Sequence, residues 1–164
     1  MKPTRIQTVL VVEDDEPKLR SILSFLSDSV NQSFTVMRAT SLVGAIKILS
    51  TEDVALAIID MSLPTFELAS NRAHGGQPQG YGGKDILRFI ESETTSTLSV
   101  VITQYEEFPP ESDGLGKSLS TLASELREEF GARFQGVIHY TGQLGEWRES
   151  LLKVLQKNDM ADRR

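Results

Sequence analysis

Three acidic side chains follow short apolar segments of the sequence, where their carboxylates could act together. Glu13 and Asp14 come directly after residues 8–12 (TVLVV), and Asp60 ends residues 55–60 (ALAIID). Carboxylates that lie close together raise one another's pKa unless a cation neutralises them. A hard divalent cation such as Mg²⁺ prefers oxygen ligands, and a carboxylate beside it can attack phosphorus because the ion offsets the repulsion. The pattern therefore favours a Mg²⁺ site that handles a phosphoryl group.

The elements that must position these acids follow from the hydrophobic pattern. Five apolar segments, rich in β-branched residues, predict strands at residues 8–12, 34–38, 55–60, 98–102 and 135–140. Apolar residues at helical spacing after each segment predict five helices. Pro17 is placed to begin the first helix, Thr40 or Ser41 to cap the second, and Gly131 to end the fourth. Strict alternation of strand and helix predicts an α/β fold, with a parallel sheet covered by helices on both faces.

The predicted sheet would bring the acids together. In doubly wound sheets, ligands bind at the carboxyl ends of the strands. Glu13, Asp14 and Asp60 would lie at that edge, and Thr103, after the fourth predicted strand, would add a hydroxyl that can hydrogen-bond a phosphoryl oxygen.

Composition limits the class of protein and its partners. The 164 residues fit one domain spanning 1–164, with a long inserted loop at about 62–83 that contains Pro64, Pro78 and five glycines. Seventeen basic and 23 acidic residues give a net charge of −6, which argues against nucleic-acid or anionic-membrane partners. The absence of cysteine excludes disulfides and thiolate metal sites. The sequence shows no signal peptide and no segment of about 18 apolar residues, so we expect a cytoplasmic protein.

Three sequence segments resemble those of a known family. VLVVEDDEPKLR, AIIDMSLP and VVITQY resemble the first, third and fourth strands, with the residues that follow, of response-regulator receiver domains. The resemblance covers about residues 7–157. It implies a flavodoxin-like, five-stranded parallel sheet of order 2-1-3-4-5, and a two-component or phosphorelay role in signal transduction.

The resemblance also implies a role for each matching residue. Asp60 matches the aspartate that accepts a phosphoryl group from a sensor histidine kinase or phosphotransfer protein. Glu13 and Asp14 match the acidic pair that, with Asp60, holds Mg²⁺, and the backbone carbonyl of Ser62 matches a further metal ligand. Thr103 matches the hydroxyl residue that switches conformation on phosphorylation.

The chain departs from the family pattern after its fifth predicted strand. The family carries Lys-Pro there, and its lysine contacts the phosphoryl group, whereas GVIHYT places Tyr140 and Thr141 at these positions. Val137 replaces the family's switch aromatic. Tyr140 or His139 is the candidate replacement for the lysine, although neither supplies a permanent positive charge.

Two functions remain open at this stage. The first is a stand-alone receiver that takes a phosphoryl group on Asp60 with Mg²⁺ and changes a protein-binding surface. The alternative is a pseudo-receiver, a protein-interaction module that is never phosphorylated. Neither is an enzyme beyond a slow autodephosphorylation, by which the chain could act as a phosphate sink. A Walker phosphate-binding loop is excluded by Pro78 and Asp85, and a haloacid-type phosphatase by Ser62 where a second aspartate is required.

Overall fold

A parallel sheet of five strands forms the centre of the molecule in the computed structural model, which describes residues 5–66, 81–111, 114–141 and 145–162. The sheet strands are β1 (Gln7–Val12), β2 (Phe34–Ala39), β3 (Val54–Ile59), β4 (Leu98–Thr103) and β7 (Phe134–His139). Their order is β2-β1-β3-β4-β7, and every neighbouring pair is parallel. Because β7 is the fifth strand of this sheet along the chain, the order is the predicted 2-1-3-4-5. Each strand begins and ends within one residue of its predicted bounds.

Within the described residues, five α-helices accompany the sheet. They are α1 (Glu16–Ser29), α2 (Leu42–Thr51), α3 (Gly82–Glu93), α4 (Leu119–Phe130) and α5 (Glu146–Lys157). Pro17 lies in the first turn of α1, and the Ser41 side chain caps α2 by accepting from the Gly44 N–H. Gly131 ends α4 with a φ of 64°, a conformation that costs glycine least. The predicted helix signals are confirmed at these positions.

The helices cover both faces of the sheet, as the alternating burial of β1 shows. Leu10 and Val12 point into a core shared with α2, α3 and α4. Val9 and Val11 point into a second core shared with α1 and α5. All four side chains are fully buried, so β1 is covered on both sides.

A short hairpin interrupts the alternation between β4 and α4. Strands β5 (Glu107–Phe108) and β6 (Lys117–Ser118) pair antiparallel, and the sequence analysis did not predict them. Two residues per strand are too few for the alternation of polar and apolar residues that identifies strands in sequence. Phe108 is buried and anchors the hairpin against Tyr81, with the ring centroids 6.2 Å apart.

The inserted segment is joined to the body of the molecule at both sides. Before it, the carbonyls of Pro64 and Thr65 accept from the N–H groups of Leu42 and Val43 at 3.0 and 3.1 Å. After it, the Gly83 N–H donates to the Met61 carbonyl at 2.8 Å. Residues 67–80, which hold most of the insertion, lie outside the described residues, and so does any test of its role.

No helix in the described ranges combines the length and the apolar character that a membrane crossing requires.

Candidate phosphoacceptor site

The acids occupy the carboxyl edge of the sheet because their strands lie side by side. Glu13 follows β1, and its N–H donates to the Ala39 carbonyl of β2 at 3.0 Å. Asp60 follows β3, and its N–H donates to the Val12 carbonyl of β1 at 2.9 Å. These backbone bonds extend the parallel ladders by one residue and fix both side chains at adjacent strand ends.

Glu13, Asp14 and Asp60 form one carboxylate cluster. One carboxylate oxygen from each lies within 4.8 Å of the other two. Glu13 and Asp60 are 1% and 5% exposed, while Asp14 is half-buried. The cluster opens into a pocket of about 210 Å³, whose lining residues are Glu13, Asp14, Asp15, Asp60, Ser62, Gln104 and Tyr105.

A lysine that the sequence analysis did not single out completes the cluster. Lys18, in the first turn of α1, is 1% exposed. Its Nζ lies 2.5 Å from Glu13 Oε2 and 3.2 Å from Asp60 Oδ1. It also donates to the Ile102 carbonyl of β4 at 2.9 Å. The ammonium therefore joins the ends of β1, β3 and β4.

The two oxygens of Asp60 have different surroundings. Oδ1 accepts from the Met61 N–H at 2.9 Å and pairs with Lys18 Nζ. Within the described ranges, no donor contacts Oδ2. The carboxylate is thus held through one oxygen, and the other is available to a ligand.

The cluster holds more negative charge than its lysine neutralises. Burial raises the pKa of Glu13 to about 7, and Asp60 adds to the rise, against the opposing effect of Lys18. Burial also raises the pKa of Asp60 and that of Asp14. Three carboxylates and one ammonium, when ionised, sum to −3 + 1 = −2. A divalent cation would balance this charge, and the donor set of hard carboxylate oxygens suits Mg²⁺.

The remaining predicted site residues are Ser62, Thr103, His139 and Tyr140. Of these, Ser62 lines the pocket. Thr103 is fully buried at the end of β4, and its hydroxyl accepts from the Tyr105 N–H at 3.2 Å. His139 Nε2 contacts the Gln104 carbonyl at 3.4 Å, on the outer side of the β4–β7 edge.

Tyr140, a candidate replacement for the family lysine, packs between the Trp147 ring and the Lys18 ammonium. Its ring centroid lies 5.2 Å from that of Trp147 and 5.7 Å from Lys18 Nζ. Its N–H donates to the Thr103 carbonyl at 2.7 Å, which continues the β4–β7 ladder. The positive charge expected near Asp60 therefore comes from α1, and Tyr140 lies beside it.

Gly83 supports the site through a close backbone approach. A Cβ at this position would lie 2.4 Å from the Asp60 carbonyl oxygen and 2.9 Å from Met61 Cα. Only a residue without a side chain lets α3 begin this close to Asp60 and Met61.

Helical periodicity contained a signal for Lys18. The buried residues of α1 are Lys18, Leu19, Ile22 and Leu26. Lys18 precedes Ile22 by four residues and Leu26 by eight, so it belongs to the buried face of α1. A lysine on that face, five residues after Glu13, had to find a buried anion.

Comparisons with known proteins agree with this architecture. No family model matches the chain. It is 29% identical over 154 residues to the Detocs response regulatory protein DtcB of Vibrio alginolyticus, covering 90% of this chain and 99% of that protein. It is 22% identical over 148 residues to DtcB of Enterobacter cloacae, covering 90% of this chain and 97% of the relative.

Solved structures give the same answer at the level of the fold. A CheY-like response regulator receiver domain from Methanospirillum hungatei superposes with a TM-score of 0.60 and 19% identity, covering 94% of each chain. Its class and the sheet order agree with what the sequence segments implied. The chain therefore has the fold of the response-regulator receiver domains that its sequence resembles.

Proposed function

We propose that this protein is a receiver that accepts a phosphoryl group on Asp60, with Mg²⁺, from a histidine kinase or phosphotransfer protein. The observation that carries the proposal is the carboxylate cluster of Glu13, Asp14 and Asp60 at the carboxyl edge of a receiver-type sheet. Two relatives named as response regulatory proteins match nearly end to end, which supports a signalling role. We expect this role in the cytoplasm, with a protein as the downstream partner.

The residues of this chain suit in-line attack on phosphorus. Oδ2 of Asp60 forms the new P–O bond while the P–N bond of the donor phosphohistidine breaks. The electron pair of that bond returns to the imidazole nitrogen, which then takes a proton from solvent. Met61 and Lys18 hold Oδ1 and so orient the nucleophile.

Three carboxylates and one backbone carbonyl are the proposed metal ligands. Glu13, Asp14 and Asp60 would hold Mg²⁺ together with the Ser62 carbonyl, and the ion would offset the charge of the incoming phosphoryl oxygens. Thr103 is the proposed hydroxyl that binds the phosphoryl group once it is on Asp60. Its present acceptor role toward the Tyr105 N–H leaves its own hydroxyl proton free to donate.

The decisive experiment is direct labelling. We expect acetyl phosphate and Mg²⁺ to add one phosphoryl group, detected by intact mass as an acid-stable, base-labile acyl phosphate. Asp60→Asn should abolish it. Asp53→Asn is the matched control, because Asp53 precedes β3 and lies at the opposite end of the same strand. Labelling that persists in Asp60→Asn would contradict the proposal.

A phosphorylation-independent interaction module is the second candidate. The observation that favours it is Tyr140, whose ring packs on Trp147 at a position where the family carries its lysine. This candidate predicts that neither acetyl phosphate nor any kinase labels the protein, while Asp60→Asn leaves partner binding unchanged. The slow autodephosphorylation expected from the sequence is hydrolysis of the Asp60 acyl phosphate. It would be measured as the rate at which the label is lost.

A further inference from the structure

Lys18 carries a buried positive charge. Burying a charge costs desolvation free energy, which only nearby anions and hydrogen-bond acceptors offset. Its side chain is 1% exposed, and among the described residues its polar contacts are with Glu13, Asp60 and the Ile102 carbonyl. The contact with the Ile102 carbonyl is a hydrogen bond, and the contacts with Glu13 and Asp60 are ion pairs. Truncating one partner of such a pair leaves an unpaired buried charge, which is strongly destabilising.

Lys18 is also the cation nearest to the phosphoacceptor. In the ranges that the structure describes, no other lysine or arginine nitrogen lies within 4.0 Å of the carboxylate of Glu13 or Asp60. His139, by contrast, faces Gln104 and Glu106, with Nε2 3.9 Å from Glu106 Oε1. Tyr140 can offer only a neutral hydroxyl.

Phosphorylation of Asp60 would redirect this ammonium. As a carboxylate, Asp60 carries the charge that Lys18 binds at Oδ1. When Oδ2 forms the P–O bond, Oδ1 becomes the neutral carbonyl oxygen of an acyl phosphate, a weaker acceptor. The negative charge moves to the phosphoryl oxygens next to it. A lysine side chain is a point charge on a flexible stem, so its Nζ can follow this charge over a short distance.

We infer that Lys18 binds the phosphoryl group on Asp60, and thus supplies from helix α1 the cation that receiver domains of the usual pattern place after their last strand. This inference rests on the proposed function. It takes the place of the expectation that Tyr140 or His139 fills that role.

The test compares a phosphoryl mimic with the metal alone. Affinities for Mg²⁺, and for beryllofluoride in saturating Mg²⁺, are measured by calorimetry on wild type and on Lys18→Met. Loss of the ammonium should weaken beryllofluoride binding by about tenfold or more, which corresponds to about 1.4 kcal/mol. Mg²⁺ binding should not weaken, because Lys18 competes with the metal for Glu13 and Asp60.

Lys84→Met is the matched control. Lys84 is also buried and ion-paired, but with Glu111 at 3.0 Å and Glu129 at 3.6 Å, away from the carboxylate cluster. Its loss should leave beryllofluoride affinity unchanged. Adding Tyr140→Lys to Lys18→Met should recover part of the lost affinity, since residue 140 lies next to the vacated position.

The outcomes distinguish a failure of the inference about Lys18 from a failure of the proposed function. If wild type binds beryllofluoride and Lys18→Met binds it equally well, the inference about Lys18 is wrong and the proposed function stands. If wild type neither binds beryllofluoride nor accepts a phosphoryl group, the proposed function fails and the inference fails with it. A Lys18→Met variant that loses only stability, with its ratio of mimic to metal affinity unchanged, also overturns the inference.

A second measurement needs no variant, in case Lys18→Met does not fold. Side-chain NMR of wild-type lysines should show the Nζ and Cε resonances of Lys18 moving when beryllofluoride is added to the Mg²⁺-bound protein. Lys84 resonances should stay in place. If those of Lys18 move no more than those of Lys84, the ammonium does not contact the phosphoryl group.

Discussion

At the scale of single residues, the site is defined by an excess of negative charge that one buried lysine only partly neutralises. Glu13 and Asp60 share Lys18, whereas Asp14 forms no ion pair with it and lies half-exposed at the mouth of the pocket. The three carboxylates therefore differ in what they contribute to folding and to cation binding. This difference leads to two predictions.

The first residue-scale prediction concerns Asp14. Burial raises its pKa and Asp15 adds to the rise, so its ionised form is disfavoured in the folded protein. Asp14→Asn should raise the melting temperature of the metal-free protein and weaken Mg²⁺ binding by about tenfold or more. Differential scanning fluorimetry in EDTA and a Mg²⁺ titration measure the two effects. Unchanged Mg²⁺ affinity would remove Asp14 from the proposed ligand set.

The second residue-scale prediction concerns pH. Glu13 has a pKa of about 7 in the folded protein against an ordinary value of 4.5. Between these pH values the folded state binds more protons than the unfolded state, so a rise in pH favours unfolding. The free energy of unfolding in EDTA should therefore fall from pH 4.5 to pH 7, by up to about 3 kcal/mol from this group.

Urea unfolding at several pH values checks this slope, and Glu13→Gln should flatten it. Glu52→Gln is the control, since Glu52 is exposed at the end of α2 and has an unburied carboxylate. An equal slope in wild type and Glu13→Gln would show that Glu13 does not titrate in this window.

At the scale of elements, the start of α1 combines a side-chain cap, a proline in the first turn and a buried lysine that reaches the site. Asp15 caps the helix by accepting from the Lys18 N–H at 3.1 Å, and Pro17 lies in its first turn. The Lys18 side chain then reaches from this turn to the ends of three strands. The junction between β1 and α1 thus supplies two of the three proposed acidic metal ligands, Glu13 and Asp14, and the cation that partly neutralises the cluster.

The start of α3 is a second element on which the site depends, and it carries the next prediction. A Cβ on Gly83 would overlap the Asp60 carbonyl oxygen, so either α3 or the backbone of Asp60 and Met61 must shift. Gly83→Ala should lower the free energy of unfolding by about 1–3 kcal/mol, as overpacking of a tight contact does. It should also weaken Mg²⁺ binding, because Asp60 moves.

Gly114→Ala provides the comparison, since a Cβ there would have no atom within 4 Å. Chemical denaturation of both variants distinguishes local crowding from a general effect of losing glycine. A Gly83→Ala protein as stable as Gly114→Ala would mean that α3 does not press on Asp60.

The sequence allowed the sheet to be predicted to within one residue per strand, because the three central strands β1, β3 and β4 are short, mostly apolar segments followed by a polar residue. The hairpin of β5 and β6 escaped prediction because two-residue strands carry no periodic signal. Lys18 escaped because a search for apolar residues at helical spacing passes over a lysine, even one on the buried face. Tertiary pairing decided its environment, and only the fold shows that Glu13 and Asp60 are its partners.

At the scale of the whole molecule, an aromatic group connects the site with the α1–α5 face of the sheet. Tyr140 lies between Lys18 and Trp147, and Trp147 contacts Phe25 of α1 edge-on, with centroids 5.6 Å apart. Trp147 is the single tryptophan of the chain. A displacement of the Lys18 ammonium should therefore change the surroundings of the one strong intrinsic fluorophore.

We accordingly expect beryllofluoride with Mg²⁺ to change the emission of Trp147. Tyr140→Phe should keep the response, because it retains the ring, whereas Tyr140→Leu should lose most of it. Calorimetry on the same samples verifies that each variant still binds the mimic. An undiminished response in Tyr140→Leu would show that the signal reaches Trp147 by another route.

The backbone bonds on either side of the inserted segment also bear on how this chain can diverge among its relatives. Pro64 and Thr65 are tied to the start of α2, and Gly83 is tied to Met61, so the segment between them closes on a fixed frame. Doubling the length of a flexible loop costs only about 0.6 kcal/mol in closure entropy. Selection that preserves the site should therefore act on the attachment points Pro64, Thr65 and Gly83. The length and composition of residues 67–80 are left free to vary, and a new binding specificity could evolve there without disturbing Asp60.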